Sequence, residues 1–530
     1  MKFSTTYLCL GDTFFQRALP QKVVSPTLLL WNTRLATSLS IANEWQKDKN
    51  LLAQYFSGSK LPLGADPIAL AYSGHQFGHF NPQLGDGRAH LLGEVIDNNG
   101  VRQDIQLKGS GQTKFSRRGD GKCALAPALR EYIMSEALHA LGVPTTRCLS
   151  VVATGEIIHR GVAQHGAVVT RSASSHLRIG TFQYFAVFGE ISSLKKLLDY
   201  SIKRHFPEFN QLRVEDNLTF DEVILGFLEQ VLNKQITLII QWLRIGFIHG
   251  VMNTDNTTIS GETIDFGPCA MMGRYDKNAV FSSIDEYGRY AFGKQGQVAQ
   301  WNVARLADCL LPLLVEFYAQ QEQSDHCEKI LKAKAVIKVQ SIVHQYSQKF
   351  DKAYYTMYAH KLGFGEVMSN DLSIKVNSLT DELLEIMQNQ GLDYTQTFHA
   401  LTVSLIQNIQ GEHFSQQLSA ELDRWYQTWH SLLAEVHQGG SHPYCQLAHR
   451  VMVKVNPVVI PRNHHVEALL ARCEQVVSQQ VPESHYEGVN HILAEFIKVI
   501  NSPYLEFEAT KKYQDTPLDG DKSYQTFCGT

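Results

Sequence analysis

Asp255 and Asn256 stand side by side in the stretch HGVMNTDNTTISGETIDFG, and Asp265 follows nine residues after Asn256. Carboxylate and amide oxygens converging on one point suit a hard divalent cation, Mg2+ or Mn2+, that also holds phosphate oxygens. The three residues are therefore a candidate metal centre for a nucleotide-handling enzyme. The intervening TTISGETI reads as two very short strands around Ser260-Gly261, a tight hairpin that would fold Asp265 back beside Asn256. Gly267, after Asp265-Phe266, frees the chain to turn sharply out of such a site.

Phosphates also need cations and approachable backbone N–H groups. Lys108 ends the strand-like run QDIQLKG, and an acidic partner is expected on the helix that follows. Glu131 in LREYIMSEAL is the better candidate; Glu136, five residues on, lies on a different face. Two glycine-rich turns flank this pair: QLGDGRAH, with Gly85, Gly87 and Arg88, and SRRGDGK, with Arg117, Arg118, Asp120 and Gly121. Glycine lets backbone N–H groups come close to phosphate, and arginine adds a charge-assisted fork. Arg171 and Arg178, in the serine-rich segment TRSASSHLRIGTF, read as further cations on a loop.

Elements must hold these residues together. Residues 1–60 read as helix and loop. From 61 to about 170 glycine is dense and short β-like runs alternate with turns; AHLLGEVI, an Asn-Gly turn and VRQDIQLKG make a β-hairpin signal. In the next segment Leu129, Ile133, Ala137 and Leu141 recur at helical spacing, with Gly142 as C-cap. A second helix places Leu232, Ile236, Ile239, Leu243 and Phe247 on one face and stops at Gly246, just before the HGVMNTDN loop. A third carries Val303, Leu306, Leu310 and Leu313, with Pro312 expected to bend it. More helix is expected over 328–350 and 380–436, then loops with a helix or two. The expected architecture is α+β: an N-terminal extension (1–60), a β-rich small lobe that binds nucleotide (61–190), a helical large lobe with the metal loop (191–440), and a C-terminal extension and tail (441–530).

At 530 residues the chain calls for two or three packed units. It is 44% hydrophobic and 19% charged, a globular composition. A net charge of -4 gives no global reason to expect nucleic acid or an anionic membrane as partner. No uninterrupted apolar run approaches the roughly 18 residues of a membrane span. The first residues make a poor signal peptide. Nine cysteines, none in a CxxC pair, argue against a disulfide framework or structural zinc and for a reducing cytoplasm. A monomer is expected.

The order helix, His249-Gly250, Asn256, hairpin, Asp265-Phe266-Gly267 resembles the protein-kinase fold, in which Asn follows the catalytic Asp by five residues. Here that catalytic position is Val251, which cannot accept a proton. Asp255, adjacent to Asn256, is the substitute base. The longer strings AYSGHQFGHFNPQLGDGRAHLLGE, QLKGSGQTKFSRRGDGK, ALREYIMSEALHALGVPTTRCLSVV, GFIHGVMNTDN, TIDFGPC, WNVARLA and VNPVVIPRNHHVE closely resemble the selenoprotein O family, also called YdiU. The resemblance implies a kinase-like fold with ATP bound in a flipped orientation. It implies transfer of AMP, or of UMP from UTP with Mn2+, to Ser, Thr or Tyr hydroxyls of proteins, with release of pyrophosphate. On matching positions it makes Asp255 the proton acceptor and Asn256 and Asp265 the metal ligands. Gly85, Gly87, Arg88, Lys108, Asp120, Gly121, Arg171 and Arg178 then hold the nucleotide. In bacterial members it further implies a tail cysteine bonded to one after Asp-Phe-Gly. Cys528 matches the tail position, but AVFSSID holds no cysteine, and Cys269 is the nearest remaining. Two other readings stand beside this one: a kinase-type phosphotransferase, and a non-catalytic nucleotide-binding regulator switched through Cys528.

Overall fold

The computed structural model describes residues 3–188, 190–321, 328–366, 369–409, 419–437, 443–479, 482–517 and 519–527. Cys528, and with it the expected tail disulfide, lies outside them.

An antiparallel sheet and a helical part make up the molecule. In chain order the strands are β1 (Phe15–Arg17), β2 (Thr27–Trp31), β3 (Ile68–Leu70), β4 (Gly74–Gln76), β5 (His79–Asn81), β6 (Ala89–Ile96), β7 (Arg102–Lys108), β8 (Cys123–Ala124), β9 (Arg147–Arg160) and β10 (Val162–Ala173). The sheet runs β1-β3-β6-β7-β10-β9-β2, with β8 pairing β10, while β4 and β5 form a hairpin of their own. The expected β6–β7 hairpin forms. Asp97 Oδ1 accepts from the N–H of Asn99 at 2.9 Å and of Val101 at 2.8 Å, and Gly100 takes φ +78°. This closure sets the register Ala89↔Lys108 and places Lys108 at the end of a central strand, next to the site.

Residues 1–60 need correction, because β1 and β2 are outer strands of the sheet. TLLLW lacks period-two alternation because it is covered on both faces. Leu28 joins the core on one side, with Leu52, Phe56, Ile105 and Leu107, while Leu29 and Leu30 join the main core on the other. An unbroken apolar run cannot be told from a buried helix by period alone. Arg171 is corrected too: it lies within β10, not on a loop, and Arg178 is the N-cap of the helix Ile179–Val187.

The helix Leu125–Ala140 packs against β9 and β10 and is buried along nearly its whole length. The helix Phe220–Ile245 begins with a Thr219–Glu222 capping box and ends at Gly246, φ +75°. Two further strands, β11 (Phe247–Ile248) and β12 (Ala270–Met271), pair antiparallel and so close off the loop between them at its base. The helix Gln295–Gln321, with Pro312 inside it, backs that loop. By length and apolar composition this helix (with the turn preceding it) and Phe220–Ile245 could each cross a membrane. In both, more than half of the apolar window is buried in the fold (56% and 61%), as for core helices. The C-terminal part is more helical than expected, with helices Tyr444–Met452, Asn463–Gln479, Pro482–Ile500 and Glu508–Lys511.

Candidate active site

The loop from His249 to Gly267 has little regular structure, so its backbone groups need partners from elsewhere. Amide side chains on the flanking helices supply several. Gln295 donates to the Phe247 carbonyl at 3.0 Å and accepts from the His249 N–H at 3.1 Å. Asn302 donates to the Met252 carbonyl at 3.0 Å, and Gln235 to the Thr258 carbonyl at 2.8 Å. The buried His249 ring bonds the Ile264 carbonyl at 2.8 Å, tying the two ends of the loop together.

The expected hairpin over TTISGETI is corrected. Thr258 and Thr263 do not pair with each other; Thr258 bridges to Arg178 and Thr263 to Thr145. The chain still reverses at Ser260-Gly261, where Gly261 N–H donates to the Thr258 carbonyl at 3.3 Å. Bridges to distant segments offer the short arms more partners than a four-residue ladder could.

Gly85, Gly87, Arg88, Lys108, Asp120, Gly121, Arg171, Arg178, Val251, Asp255, Asn256 and Asp265 all line one cavity of about 600 Å³. Arg117 lines it as well; Arg118 does not. At its back Lys108 Nζ donates to Glu131 Oε2 at 2.7 Å and to Asp265 Oδ1 at 3.0 Å. Arg171, opposite Gln106 in the sheet and so on the Lys108 face, bridges the same two carboxylates. Burial opposes ionisation of Asp265, but Arg171, Lys108 and Arg178 together hold its carboxyl well below the usual range. Its φ of +63° is strained for a non-glycine residue and turns the side chain into this network. Glu136, the second choice, is engaged elsewhere, in a two-point pair with Arg147 at 2.6 Å.

Asp255 sits in a contrasting environment. Its Oδ2 accepts from Gln76 Nε2 at 3.1 Å, while its buried Oδ1 has no hydrogen-bond partner. Burial pushes its pKa up to about 6, against the lowering effects of Gln76 and Arg178. Asn256 Nδ2 donates to the Val251 carbonyl at 3.0 Å, which leaves the amide oxygen as its free end. Lys108 and Arg171 both take Oδ1 of Asp265, so Oδ2 is its remaining donor. An amide oxygen and a carboxylate oxygen from residues lining one cavity are donors of the type a hard divalent cation takes.

The glycine turns are shaped by close approach. A Cβ on Gly85 would collide with the Phe115 ring, and one on Gly121, at φ +72°, with the Gly111 carbonyl. Asp120 lines the cavity but is committed to Arg160 at 2.6 Å and to the Lys122 N–H at 3.0 Å, so it braces its turn. The buried Asp86 pairs with Arg178 at 3.7 Å and accepts from Gln106 at 3.1 Å, and the Arg178 guanidinium lies 4.3 Å from the Tyr72 ring centre.

Asp86, Tyr72, Asn253 and above all Gln76 were not singled out in the sequence. Gln76 comes from the β4–β5 hairpin, which docks on the loop about 180 residues away in the chain. There His75 N–H donates to Thr254 Oγ1 at 2.7 Å and Phe77 N–H to Asn253 Oδ1 at 3.0 Å. Gly74 is needed there, since a Cβ would strike Asp255 Oδ1. Glycine density in SGHQFGH was the available signal.

The sequence profile described as "Protein adenylyltransferase SelO" matches residues 1–487. This chain belongs to the SelO family. Among its relatives a "Protein nucleotidyltransferase YdiU" of Teredinibacter turnerae is 45% identical over 530 residues, all of both chains. Proteins of the same name from Pseudoalteromonas translucida, 44% identical over all of both chains, and Bradyrhizobium diazoefficiens, 43% identical over 100% of this chain and 99% of that one, are similar throughout. The SelO match covers the sheet, the loop and the cavity alike, and the architecture is the kinase-like one of that family.

Proposed function

We propose that this chain is a protein nucleotidyltransferase that moves AMP from ATP, with UMP from UTP as the alternative, to a Ser, Thr or Tyr hydroxyl of a protein. The hydroxyl oxygen attacks the α-phosphorus, the bond from that phosphorus to its β-bridging oxygen breaks, and pyrophosphate leaves. The proton goes to the Asp255 carboxylate. The observation that carries this reading is the state of Asp255: buried, with one oxygen held by Gln76, the other without a partner, and a pKa raised to about 6. A base with a pKa of about 6 is mostly ionised at neutral pH, and its raised basicity lets it take a proton from a hydroxyl positioned against it.

Asn256 and Asp265 would hold Mg2+ or Mn2+; when bound, the ion neutralises and orients phosphate oxygens. Lys108, Arg171 and Arg178 bring fixed positive charge to the same cavity, so little rearrangement is needed as charge develops on the leaving pyrophosphate. Gly85, Gly87 and Gly121 admit phosphate to the backbone, Arg88 adds a cation, and Asp120 keeps its turn in shape through Arg160. The nucleotide side thus comes from residues 61–190 and the metal side from 191–440.

Transfer of the γ-phosphoryl group is the second reading, favoured by the Lys108–Glu131 pair that a kinase-type site also uses. Against it stands Val251, buried at the position of the kinase base. ATP labelled at the α- or the γ-phosphate separates the two. Acceptor protein carrying α-label is the expected result; product with γ-label alone overturns the proposal.

A further inference from the structure

A second groove, of about 700 Å³, adjoins the nucleotide cavity and shares Phe77 and Ile284 with it. One wall is the tip of the β4–β5 hairpin. The other is the segment after Asp265-Phe266-Gly267 and the first turns of the helix Gln295–Gln321, with Tyr287, Arg289, Lys294 and Trp301. Resting on the transfer reading above, we propose that this groove holds an extended segment of the acceptor protein, whose hydroxyl residue is flanked by an acidic side chain.

Three observations support that occupant. The groove begins where an acceptor must arrive. Phe77 follows Gln76, the residue that bonds Asp255, so a segment lying here brings a hydroxyl to the base without displacing nucleotide from the cavity.

The floor is fixed while the rim is open. Buried Asp285 accepts from the N–H groups of Arg289 at 2.8 Å and Tyr290 at 2.7 Å. The Tyr290 hydroxyl donates to Asn253 Oδ1 at 2.7 Å, which bolts the groove to the loop bearing Asp255. Above this floor Tyr287 is 91% exposed and Ile284 48% exposed. Large apolar side chains held out over a rigid base are suited to covering by a partner.

The charge of the groove selects that partner. Arg289, Lys294 and His79 line it against the exposed carboxylate of Glu286, since Asp285 is turned inward. Arg289 makes no ion pair among the described residues, and its buried Nε has no hydrogen-bond partner. Its guanidinium lies 4.8 Å from the Trp301 ring centre, a stacking that holds the fork in place for a carboxylate.

Fluorescent peptides with a central Tyr or Ser flanked by Asp, Ala or Lys test this on the full chain. Binding is followed by polarisation, and transfer by α-labelled ATP with Mg2+ or Mn2+. The Asp-flanked peptide is expected to bind about tenfold more tightly than the Lys-flanked one, the scale of one charge-assisted contact. Arg289→Glu should reverse that order, and Tyr287→Ala should weaken all three peptides, with ATP affinity unchanged in both. Tyr287 is so exposed that its loss leaves the fold intact. Equal binding of the three peptides, or unaltered preference in Arg289→Glu, overturns the proposal. Selective binding without label transfer to any peptide or protein would instead sink the transfer reading and leave the groove standing.

Discussion

Asp255 is under two opposed demands. Burial without a partner for Oδ1 makes its charged form costly, and that same cost makes it a usable base. Its folded pKa, about 6, lies above the unfolded value of about 3.9, so ionisation destabilises the folded state. That destabilisation is fully present above about pH 6 and fades as pH falls towards 4. Asp255→Asn should therefore lower transfer by about 10²–10⁴-fold while raising stability at pH 8 by about 1–3 kcal/mol. Turnover assays beside thermal melts check both signs. In the wild type kcat should fall below about pH 6 as the base takes up a proton. Gln76 favours the charged form, so Gln76→Leu should move this acid limb to higher pH, as a pH–rate profile would read. Lys108, Glu131 and Asp265 were legible in the sequence because side-chain type and helix period constrain them. Gln76 was not, because its role exists only after a distant hairpin has docked.

Among the elements, the β6–β7 hairpin and the helices ending at Gly142 and Gly246 were legible from alternation, period and turn chemistry. What failed was what tertiary cover decides. TLLLW is sandwiched between two cores, and the 258–263 reversal takes its partners from 145 and 178. The turn at Gly121 offers a direct test. Gly121→Ala adds a Cβ at φ +72° against the Gly111 carbonyl, which should cost about 1–3 kcal/mol or displace the turn. A raised KM for ATP, with peptide binding unchanged, would place the effect on the nucleotide side. A disulfide joining the tail cysteine to Cys269 would meet an obstacle on the Cys269 side. Cys269 is fully buried, burial pushes its thiol up to about 11, and a neutral buried thiol is a poor partner for exchange.

Over the whole molecule the segment after Asp265-Phe266-Gly267 is held from the far end of the chain. Thr526 N–H donates to the Phe281 carbonyl at 2.7 Å, and Ser283 N–H to the Thr526 carbonyl at 3.0 Å. The Tyr524 hydroxyl meets Arg130 at 2.9 Å, next to Glu131. Removing residues from Asp519 onward should speed amide exchange at 281–283 and leave the sheet's exchange unaltered.

The docked β4–β5 hairpin has a consequence for how nucleotide comes and goes. In a two-lobed enzyme a hinge ordinarily opens the cleft. Here His75, Gln76 and Phe77 from the sheet side bond Thr254, Asp255 and Asn253, and Arg178 Nη1 donates to the Asp255 carbonyl at 3.2 Å. Opening would break all of these at once. Nucleotide exchange should then proceed through the cavity mouth with the cleft shut, and the radius of gyration in solution should be the same with and without ATP. A contraction on adding ATP, seen by small-angle scattering, would show that the latch opens after all.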